Sequence, residues 1–253
     1  MGILNVTPDS FSDGGKFDQI DAALKHAEEM IRDGADVIDI GGESTRPGYT
    51  KISDEEETDR VVPVIEAVKK EFGIPISVDT YKSGVAEAAA QAGADLINDI
   101  WGLKYDPHMS EVIAKSGLAC CLMHNRDNTE YRNFMEDVKQ DLRETIALAK
   151  AAGIADDKII LDPGVGFAKS YENNLEVIRR LKEFNELKYP VLLGTSRKSV
   201  IGLTLDLPAA ERVEGTIVTT VMAVEAGCMF VRVHDVKENH RAIQMAEAIL
   251  DRK

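Results

Sequence analysis

Eight short apolar runs, each followed by a longer amphipathic segment, limit the folds that are open to this chain. The runs are rich in Val, Ile and Leu and are nearly continuous, which is typical of parallel strands covered on both faces. They lie at residues 2–7, 36–41, 75–80, 96–101, 118–124, 158–164, 190–196 and 230–235. The pattern therefore predicts a parallel sheet whose strands are separated by helices.

The segments between the runs carry apolar residues at helical spacing. They predict helices at about 20–32, 54–72, 83–93, 107–116, 131–152, 171–186, 209–227 and 237–251. Ser53 and Glu56 form a capping box at the start of one helix, and Gly153 and Gly227 lie where two others end. The acidic run 54–57 is interpreted as a solvated first turn that the helix dipole favours, with no catalytic role.

Eight consecutive β-α units predict an α/β fold, a single (β/α)8 or TIM barrel that takes up residues 1–253 as one domain. Barrels of this kind commonly have this length. The alternative is a doubly wound open sheet, and the number of units favours the barrel. The sequence lacks the dinucleotide fingerprint G-x-G-x-x-G after its first strand and the P-loop pattern G-x-x-x-x-G-K-[ST].

The composition is strongly acidic, with a formal net charge of −14. This argues against a nucleic-acid partner, because phosphate backbones select for spread-out Lys and Arg. No apolar stretch approaches the ~20 residues that span a bilayer, and residues 1–11 have neither the basic flank nor the apolar core of a signal peptide. We therefore expect a cytoplasmic protein with no membrane partner and with reduced cysteines. Cys120 and Cys121 are neighbours on one strand and should point to opposite faces, which makes them unsuited to a disulfide.

Polar and charged residues stand at the C-terminal end of every predicted strand. In a barrel these ends meet at one mouth, where the active sites of this fold lie. A single Asp or His there has an ordinary explanation as a helix cap or a satisfied core residue, but eight converging ends indicate a site. The residues are Asn5, Asp39, Asp79, Asn98, Asp99, His124, Asp162, Ser196, Arg197, Lys198, Ser199, Arg232, His234 and Asp235.

The chemistry of these groups indicates two kinds of ligand. Carboxylates accept hydrogen bonds and an amide both donates and accepts, so Asp79, Asp162 and Asn98 suit a planar nitrogen heterocycle. Arg232 and His234 suit an anionic group such as phosphate. The stretches SFSDGGKF and GGESTRPGY are interpreted as mobile covers of the mouth. Since G-x-S-x-G is absent and no cysteine ends a strand, displacement of a leaving phosphate fits better than acyl transfer.

Several of these stretches carry a family resemblance. In chain order they are GILNVTPDSFSDGG, DIGGESTRPG, ISVDT, INDI, DPGVGF, GTSRKS and RVHDV. Together they extend across nearly the whole chain and closely resemble the dihydropteroate synthase family of the folate pathway. The resemblance implies condensation of 6-hydroxymethyl-7,8-dihydropterin diphosphate with para-aminobenzoate, giving 7,8-dihydropteroate and pyrophosphate with the assistance of Mg²⁺. It also implies a homodimer formed through the late helices, and a pocket in which sulfonamides compete with para-aminobenzoate.

The resemblance also assigns residues to each part of the site. It implies that the pterin is held by Asp79, Asn98, Asp162 and Lys198, and the diphosphate by Asn5, Arg232 and His234, with Asn5 beside the metal. The para-aminobenzoate pocket would be bordered by Thr45, Arg46, Pro47, Phe167 and Ser199. The implied mechanism is largely dissociative, and Asp79, Lys198, Arg232 and His234 would be its catalytic residues. Arg197 is expected only to shape its loop or to pair with a nearby acid.

The chain departs from the family pattern in two places. Val165 and Ala168 stand where the family often has Phe and Gly, and residues 125–133 lack the usual Gly- and Pro-containing stretch. Two other functions remain open at this point. A pterin-binding methyltransferase shares the barrel and a similar Asp/Asn/Asp set but has no need of the STRP and RVHD stretches, and a non-catalytic pterin-binding relative would release no pyrophosphate.

Overall fold

Parallel strands form the centre of the molecule. The computed structural model describes residues 1–7, 16–44 and 51–251. Within these ranges a six-stranded parallel sheet runs in sequence order, and a further pair of parallel strands follows it. The strands are β1 (Gly2–Asn5), β2 (Ile38–Gly41), β3 (Ile76–Asp79), β4 (Leu96–Asp99), β5 (Ala119–Met123), β6 (Ile159–Asp162), β7 (Leu192–Leu193) and β8 (Phe230–Val231).

Two single bridges join the strand pair to the sheet and close a barrel. Leu161 bridges to Val191 between β6 and β7, and Gly2 bridges to Val233 just beyond the end of β8. Backbone hydrogen bonds support both contacts, since Leu161 N donates to Pro190 O at 2.9 Å and Ile3 N donates to Val233 O at 3.0 Å. The predicted barrel is therefore confirmed and the open-sheet alternative is wrong.

The described helices surround this barrel. They are α1 (Lys16–Arg32), α2 (Asp54–Phe72), α3 (Ser83–Ala92), α4 (Met109–Ser116), α5 (Phe134–Ala151), α6 (Tyr171–Arg179), α7 (Ser199–Leu205), α8 (Val213–Ala226) and α9 (Val236–Ile249). The predicted helix at 171–186 ends early and continues as a 3₁₀ segment, Leu181–Leu187, and the short α7 was not predicted. Among the described helices, none is both long enough and apolar enough to cross a membrane.

The predicted helix ends are largely confirmed, but one residue of the acidic run is not solvated. Ser53 Oγ accepts a hydrogen bond from Glu56 N at 3.1 Å, and Gly227 ends α8 in the left-handed conformation with φ 86°. Glu57, predicted to lie in a solvated turn, is instead 1% exposed. Its carboxylate accepts a hydrogen bond from Lys82 Nζ at 2.7 Å, because the end of the β3 segment brings a lysine beneath α2.

Apolar residues fill two separate layers of the barrel. The larger cluster lies between the sheet and the helices and contains Cys120, whereas a smaller cluster contains Cys121 with Leu96, Ile160 and Leu192. The two neighbouring cysteines therefore lie on opposite faces of β5, as predicted. The small cluster fills the lower part of the barrel interior, so the inward positions nearer the C-terminal strand ends are left for polar groups.

Candidate active site

An arginine from the last strand segment links two buried carboxylates across the mouth. Arg232 Nε donates to Asp39 Oδ2 at 2.5 Å, and Arg232 Nη2 donates to Asp79 Oδ2 at 2.6 Å. Burial acts to lower the pKa of Arg232, but the carboxylates of Asp39 and Asp79 outweigh it and raise that pKa above its usual value. Ser77 Oγ donates to the other oxygen, Asp39 Oδ1, at 2.5 Å. The arrangement holds a permanent cation over the ends of β2 and β3.

Asp79 has one buried oxygen without a partner. Its Oδ2 accepts from Arg232, whereas Oδ1 has no hydrogen-bond partner among the described residues. Burial raises the pKa of Asp79 to about 7, with the Arg232 cation acting against it and the Asp39 carboxylate adding to it. Since unpaired buried oxygens are rare in folded proteins, Oδ1 is an acceptor that a bound N–H donor would satisfy.

A lysine and a second aspartate face each other at the ends of β6 and β7. Lys198 Nζ donates to Val165 O at 2.6 Å and lies 4.8 Å from the centre of the Phe167 ring. Asp162 Oδ1 accepts from Gly164 N at 2.7 Å. Burial lowers the pKa of Lys198 to about 8 and raises the pKa of Asp162. Two of the three ammonium protons of Lys198 are thus not used by Val165.

Gly194 lies beside both of these groups. A Cβ at this position would lie 3.6 Å from Asp162 Oδ2 and 3.8 Å from Lys198 Nζ. On the other side of the mouth, Gly41 lies beside Asn5 and Asp79. A Cβ on Gly41 would lie 3.7 Å from Asn5 Oδ1 and 3.9 Å from Asp79 Oδ2, so the amide oxygen and the carboxylate share one corner.

The remaining residues of the predicted pterin and diphosphate sets also reach the mouth. Asn98 Nδ2 lies 3.5 Å from Asp39 Oδ2. His234 is oriented by Ser196, because Ser196 Oγ lies 3.0 Å from His234 Nδ1 and accepts from His234 N at 3.1 Å. With the residues of the preceding paragraphs, the structure brings together Asn5, Asp79, Asn98, Asp162, Lys198, Arg232 and His234.

The predicted para-aminobenzoate residues are less closely grouped. Phe167 packs against the aromatic and apolar cluster of Tyr81, Ile100 and Met123. Ser199 is exposed at the first residue of α7. The other three, Thr45, Arg46 and Pro47, lie outside the described residues.

Comparison with known proteins decides the family. The model of the family described as "Pterin binding enzyme" matches residues 1–234. The chain belongs to this family. It is 62% identical over 253 residues to a dihydropteroate synthase of Clostridium beijerinckii, which covers 100% of this chain and 94% of that protein. The resemblance inferred from the motifs is confirmed.

Solved structures of the pterin-binding family agree with this assignment. A Clostridium difficile dihydropteroate synthase in the presence of pteroic acid aligns with a TM-score of 0.97 at 53% identity, covering 100% of this chain and 96% of that one. A Xanthomonas albilineans dihydropteroate synthase with 4-aminobenzoic acid aligns with a TM-score of 0.94 at 41% identity, covering 99% and 92%. The fold is therefore that of known family members over the full barrel.

Other strand-end residues of this pterin-binding chain have structural roles. Asp99 accepts from the backbone N of Trp101 at 2.8 Å and of Leu103 at 2.7 Å, so it stabilises a turn. Arg197 has φ 58° and binds Asp235 through Nε at 3.0 Å and through Nη2. The expectation that Arg197 shapes its loop or pairs with an acid is confirmed.

The contacts of two charged residues, one in the mouth and one behind the segment that follows β6, were not expected from the sequence. Asp39 was noted only as a strand end, yet it binds Arg232 from within the barrel. Its position between apolar Ile38 and Ile40 was the available signal, since those neighbours face the helices. Lys169 follows the DPGVGF stretch and is enclosed behind it, where its ammonium contacts His124. No spacing rule connects residues 124 and 169.

Proposed function

We propose that this chain is a dihydropteroate synthase, which condenses 6-hydroxymethyl-7,8-dihydropterin diphosphate with para-aminobenzoate and releases pyrophosphate. The observation that carries the proposal is the partnerless Oδ1 of Asp79, buried beside Arg232 in a mouth that also holds Asp162 and Lys198. A reduced pterin offers N–H donors on one edge and a carbonyl oxygen nearby, which match two carboxylates and an ammonium.

The pterin is proposed to lie across the ends of β3, β4 and β6. Asp79 Oδ1 and Asp162 accept from its ring N–H groups, Asn98 donates and accepts, and Lys198 donates to its carbonyl oxygen. Hydrogen bonds between charged groups and a ligand are about twice as strong as neutral ones. A neutral Asp79 would lose part of this advantage, so N–H donors from the ligand favour the ionised carboxylate.

The diphosphate is proposed to lie against Arg232, His234 and Asn5. Arg232 commits Nε and Nη2 to Asp39 and Asp79, and its Nη1 takes part in neither of those bonds. Ser196 Oγ lies 3.0 Å from His234 Nδ1 and so orients the imidazole, which as a hydrogen-bonding group beside Arg232 suits a phosphate oxygen. These groups stabilise charge that develops on pyrophosphate as the C–O bond to the pterin methylene breaks.

Mg²⁺ is proposed to accompany the diphosphate. No cluster of three or more His, Cys, Asp or Glu side chains suited to a metal occurs among residues 1–7, 16–44 and 51–251. Mg²⁺ commonly keeps several waters and binds through one or two protein oxygens together with substrate phosphates. Asn5 Oδ1 would be the protein ligand, and the ion would supply charge neutralisation for the leaving group.

Bond cleavage leaves positive charge on the pterin methylene, and the arylamine nitrogen then forms the new C–N bond. The carboxylates of Asp79 and Asp162 favour that positive charge through space. The arylamine is proposed to lie on the Phe167 and Ser199 side, with Thr45, Arg46 and Pro47 completing the pocket. The amine loses one proton as the bond forms, and the released pyrophosphate is available to accept it.

The test is pyrophosphate release from the purified chain with the pterin diphosphate, Mg²⁺ and para-aminobenzoate, each omitted in turn. We expect release only when all three are present. Pyrophosphate release that does not depend on para-aminobenzoate would indicate that another molecule accepts the pterin methylene group. Binding of the pterin with no release under any condition would favour the non-catalytic relative, and methyl transfer to a corrinoid would favour the methyltransferase.

A homodimer is proposed to form on the outer face of α7, α8 and α9. α8 directs Thr216, Thr219 and Thr220 into the protein and leaves Val218 60% exposed, the reverse of an ordinary surface helix. Other exposed apolar residues on this side are Leu203, Val221, Met245 and Ile249. A surface of this kind is suited to a second copy. Val218→Glu should convert the dimer to a monomer in light scattering, and a wild-type monomer at micromolar concentration would contradict the proposal.

Two further expectations stay predictions. These are the cytoplasmic location and the organisation of residues 1–253 as one domain.

A further inference from the structure

Lys169 makes a three-way contact behind the segment that joins β6 to α6, which we call the β6–α6 loop (residues 163–170). Its Nζ donates to Gly164 O at 2.9 Å and to Phe167 O at 3.0 Å. The same Nζ lies 2.8 Å from His124 Nδ1. An ammonium group has three protons, so these contacts use all of them, and none goes to a carboxylate.

His124 is held in the orientation that accepts this bond. Its side chain is completely buried, and Nε2 lies 2.9 Å from Asp141 Oδ2. Because a carboxylate only accepts, Nε2 carries the ring proton and Nδ1 is left as the acceptor for Lys169. Arg126 binds the same carboxylate through Nε at 2.5 Å and through Nη2 at 3.1 Å. Arg126, Asp141, His124 and Lys169 thus form a continuous row.

The row fixes the shape of the β6–α6 loop on the side away from the mouth. Gly164 has φ 72°, and a Cβ there would lie 2.0 Å from His124 O, so the loop is pressed against the end of β5. Tyr131 OH donates to Ala168 O at 2.8 Å from the same direction. On the mouth side Lys198 holds Val165 O. The loop is therefore clamped between two lysines, of which only Lys198 belongs to the proposed pterin site.

We propose that Lys169 and His124 are positioning residues that fix the ring of Phe167 and thereby the arylamine side of the site. The inference rests on the proposed function for its kinetic consequence. Lys169 acts on Phe167 directly, through that residue's own carbonyl oxygen. Asp162, on the pterin side, is the last residue of β6 and is positioned by that strand, and its contact with the loop is the single hydrogen bond from Gly164 N.

The charge of Lys169 supports a role beyond general stabilisation. Burial lowers the pKa of Lys169 to about 7, although the carboxylates of Asp162 and Asp141 act in the opposite direction. Burying a cation without a direct ion pair costs stability, so a purely structural site would favour an apolar residue. An ammonium group, however, carries three N–H donors on a single nitrogen, so it can bind three acceptors that surround one position.

The first test compares substrate KM values for Lys169→Met and His124→Gln. Met keeps the length of the side chain and removes its donors. Gln places an amide near the position of Nε2, which keeps the contact with Asp141 and removes the acceptor for Lys169. We expect both variants to raise the KM for para-aminobenzoate by roughly tenfold, about 1.4 kcal/mol, with the KM for the pterin diphosphate changed by less than about twofold.

Two control variants separate positioning from folding. His124→Asn places its amide oxygen near the position of Nδ1, keeps an acceptor for Lys169, and should stay close to the wild-type KM. Lys139→Met removes another buried lysine, whose Nζ binds Glu136 at 2.8 Å and Glu186 at 3.0 Å on the outer side of α5. It should lower the melting temperature without changing either KM.

The second test does not need activity. Trp101 is the single tryptophan and packs against the same cluster as Phe167, so its fluorescence reports on the position of that ring. We expect Lys169→Met to shift the emission of Trp101 and Lys139→Met to leave it unchanged. Unchanged emission, or equal rises in both KM values, would overturn the inference. If the wild type releases no pyrophosphate, the proposed function fails and the fluorescence alone decides whether Lys169 positions Phe167.

Discussion

The pterin side and the arylamine side of the mouth are built from different kinds of structure. Asp79 and Asp162 are the last residues of β3 and β6, Asn98 is the next-to-last residue of β4, and all three are buried. Phe167 lies in a loop and Ser199 is exposed at the start of a short helix. A site on strand ends keeps its geometry because neighbouring strands hold it, whereas a site on loops depends on individual contacts such as those of Lys169 and Lys198.

The first prediction tests the strand-end side, where we expect the largest effect. Asp79→Ala should lower kcat/KM by about 10²–10³-fold, because it removes one preorganised electrostatic contact with the pterin. Pyrophosphate release by the purified variant is the measurement. Asp54→Ala, an exposed carboxylate at the start of α2, is the control and should keep wild-type activity. Near-normal turnover of a folded Asp79→Ala variant would contradict the assignment of Asp79 to the pterin site.

The second prediction concerns pH. Burial raises the pKa of Asp79 to about 7 from a usual value near 3.8. If the pterin requires the ionised carboxylate, its affinity falls by up to roughly tenfold for each pH unit below that pKa. Calorimetric titration with a pterin should show this loss between pH 7 and pH 5, and Asp79→Asn should bind weakly with a flatter pH dependence.

The raised pKa of Asp79 also makes the stability of the folded protein depend on pH. Between about pH 4 and pH 7 the folded state holds a proton on Asp79 that the unfolded state has already released. The contribution of Asp79 to the free energy of unfolding therefore falls as the pH rises through that window. The melting temperature of Asp79→Asn, measured relative to that of the wild type, should therefore rise as the pH increases to 7. An equal difference at every pH would contradict the assigned pKa direction.

The third prediction tests the loop side. Ser199→Ala removes one exposed hydroxyl, and a neutral hydrogen bond contributes only about 0.5–1.5 kcal/mol. The KM for para-aminobenzoate should rise by less than about tenfold, with kcat and the KM for the pterin diphosphate unchanged. A change in the pterin KM of equal size would show that Ser199 serves both substrates and would weaken the contrast between the two sides.

The smallest expected effect is on the backbone of the β6–α6 loop. Ala168 has φ 47°, a left-handed conformation that costs a non-glycine residue about 1–2 kcal/mol. Ala168→Gly should stabilise the protein by at most about 1 kcal/mol, because the freer unfolded chain offsets part of the gain. Denaturant unfolding measures it. Ala152, with φ −78° at the end of α5, is the matched control, and Ala152→Gly should not stabilise.

The barrel and the polar mouth could be predicted because both follow from local patterns. Apolar runs locate the strands, and the residue that ends each run lies at the mouth whatever the details of the helices. The predicted runs were longer than the strands, most of all at β7 (Leu192–Leu193). Residues beyond the end of the strand stay buried, as Thr195 does with its hydroxyl 2.7 Å from that of Thr219 in α8, so burial alone does not mark where the strand ends.

The contacts between distant residues could not be predicted. Glu57 looked like part of a solvated acidic turn, and nothing near it in the chain indicates its partner Lys82. The pairing of Arg232 with Asp39 joins the segment after β8 to β2, and that of Lys169 with His124 joins the β6–α6 loop to the end of β5. Each depends on tertiary geometry. The short α7 was missed because its seven residues follow a polar loop and carry little helical periodicity.

The bridge between Gly2 and Val233 has a consequence for how the site comes into being. It joins segments at opposite ends of the chain, and contacts of such long range form late in folding because a large loop must close before they contribute. Asn5 and Arg232 lie on the two sides of this seam. A partly folded barrel that has assembled β2 to β6 therefore already carries most of the pterin groups, but the diphosphate end of the site exists only once the ring has closed.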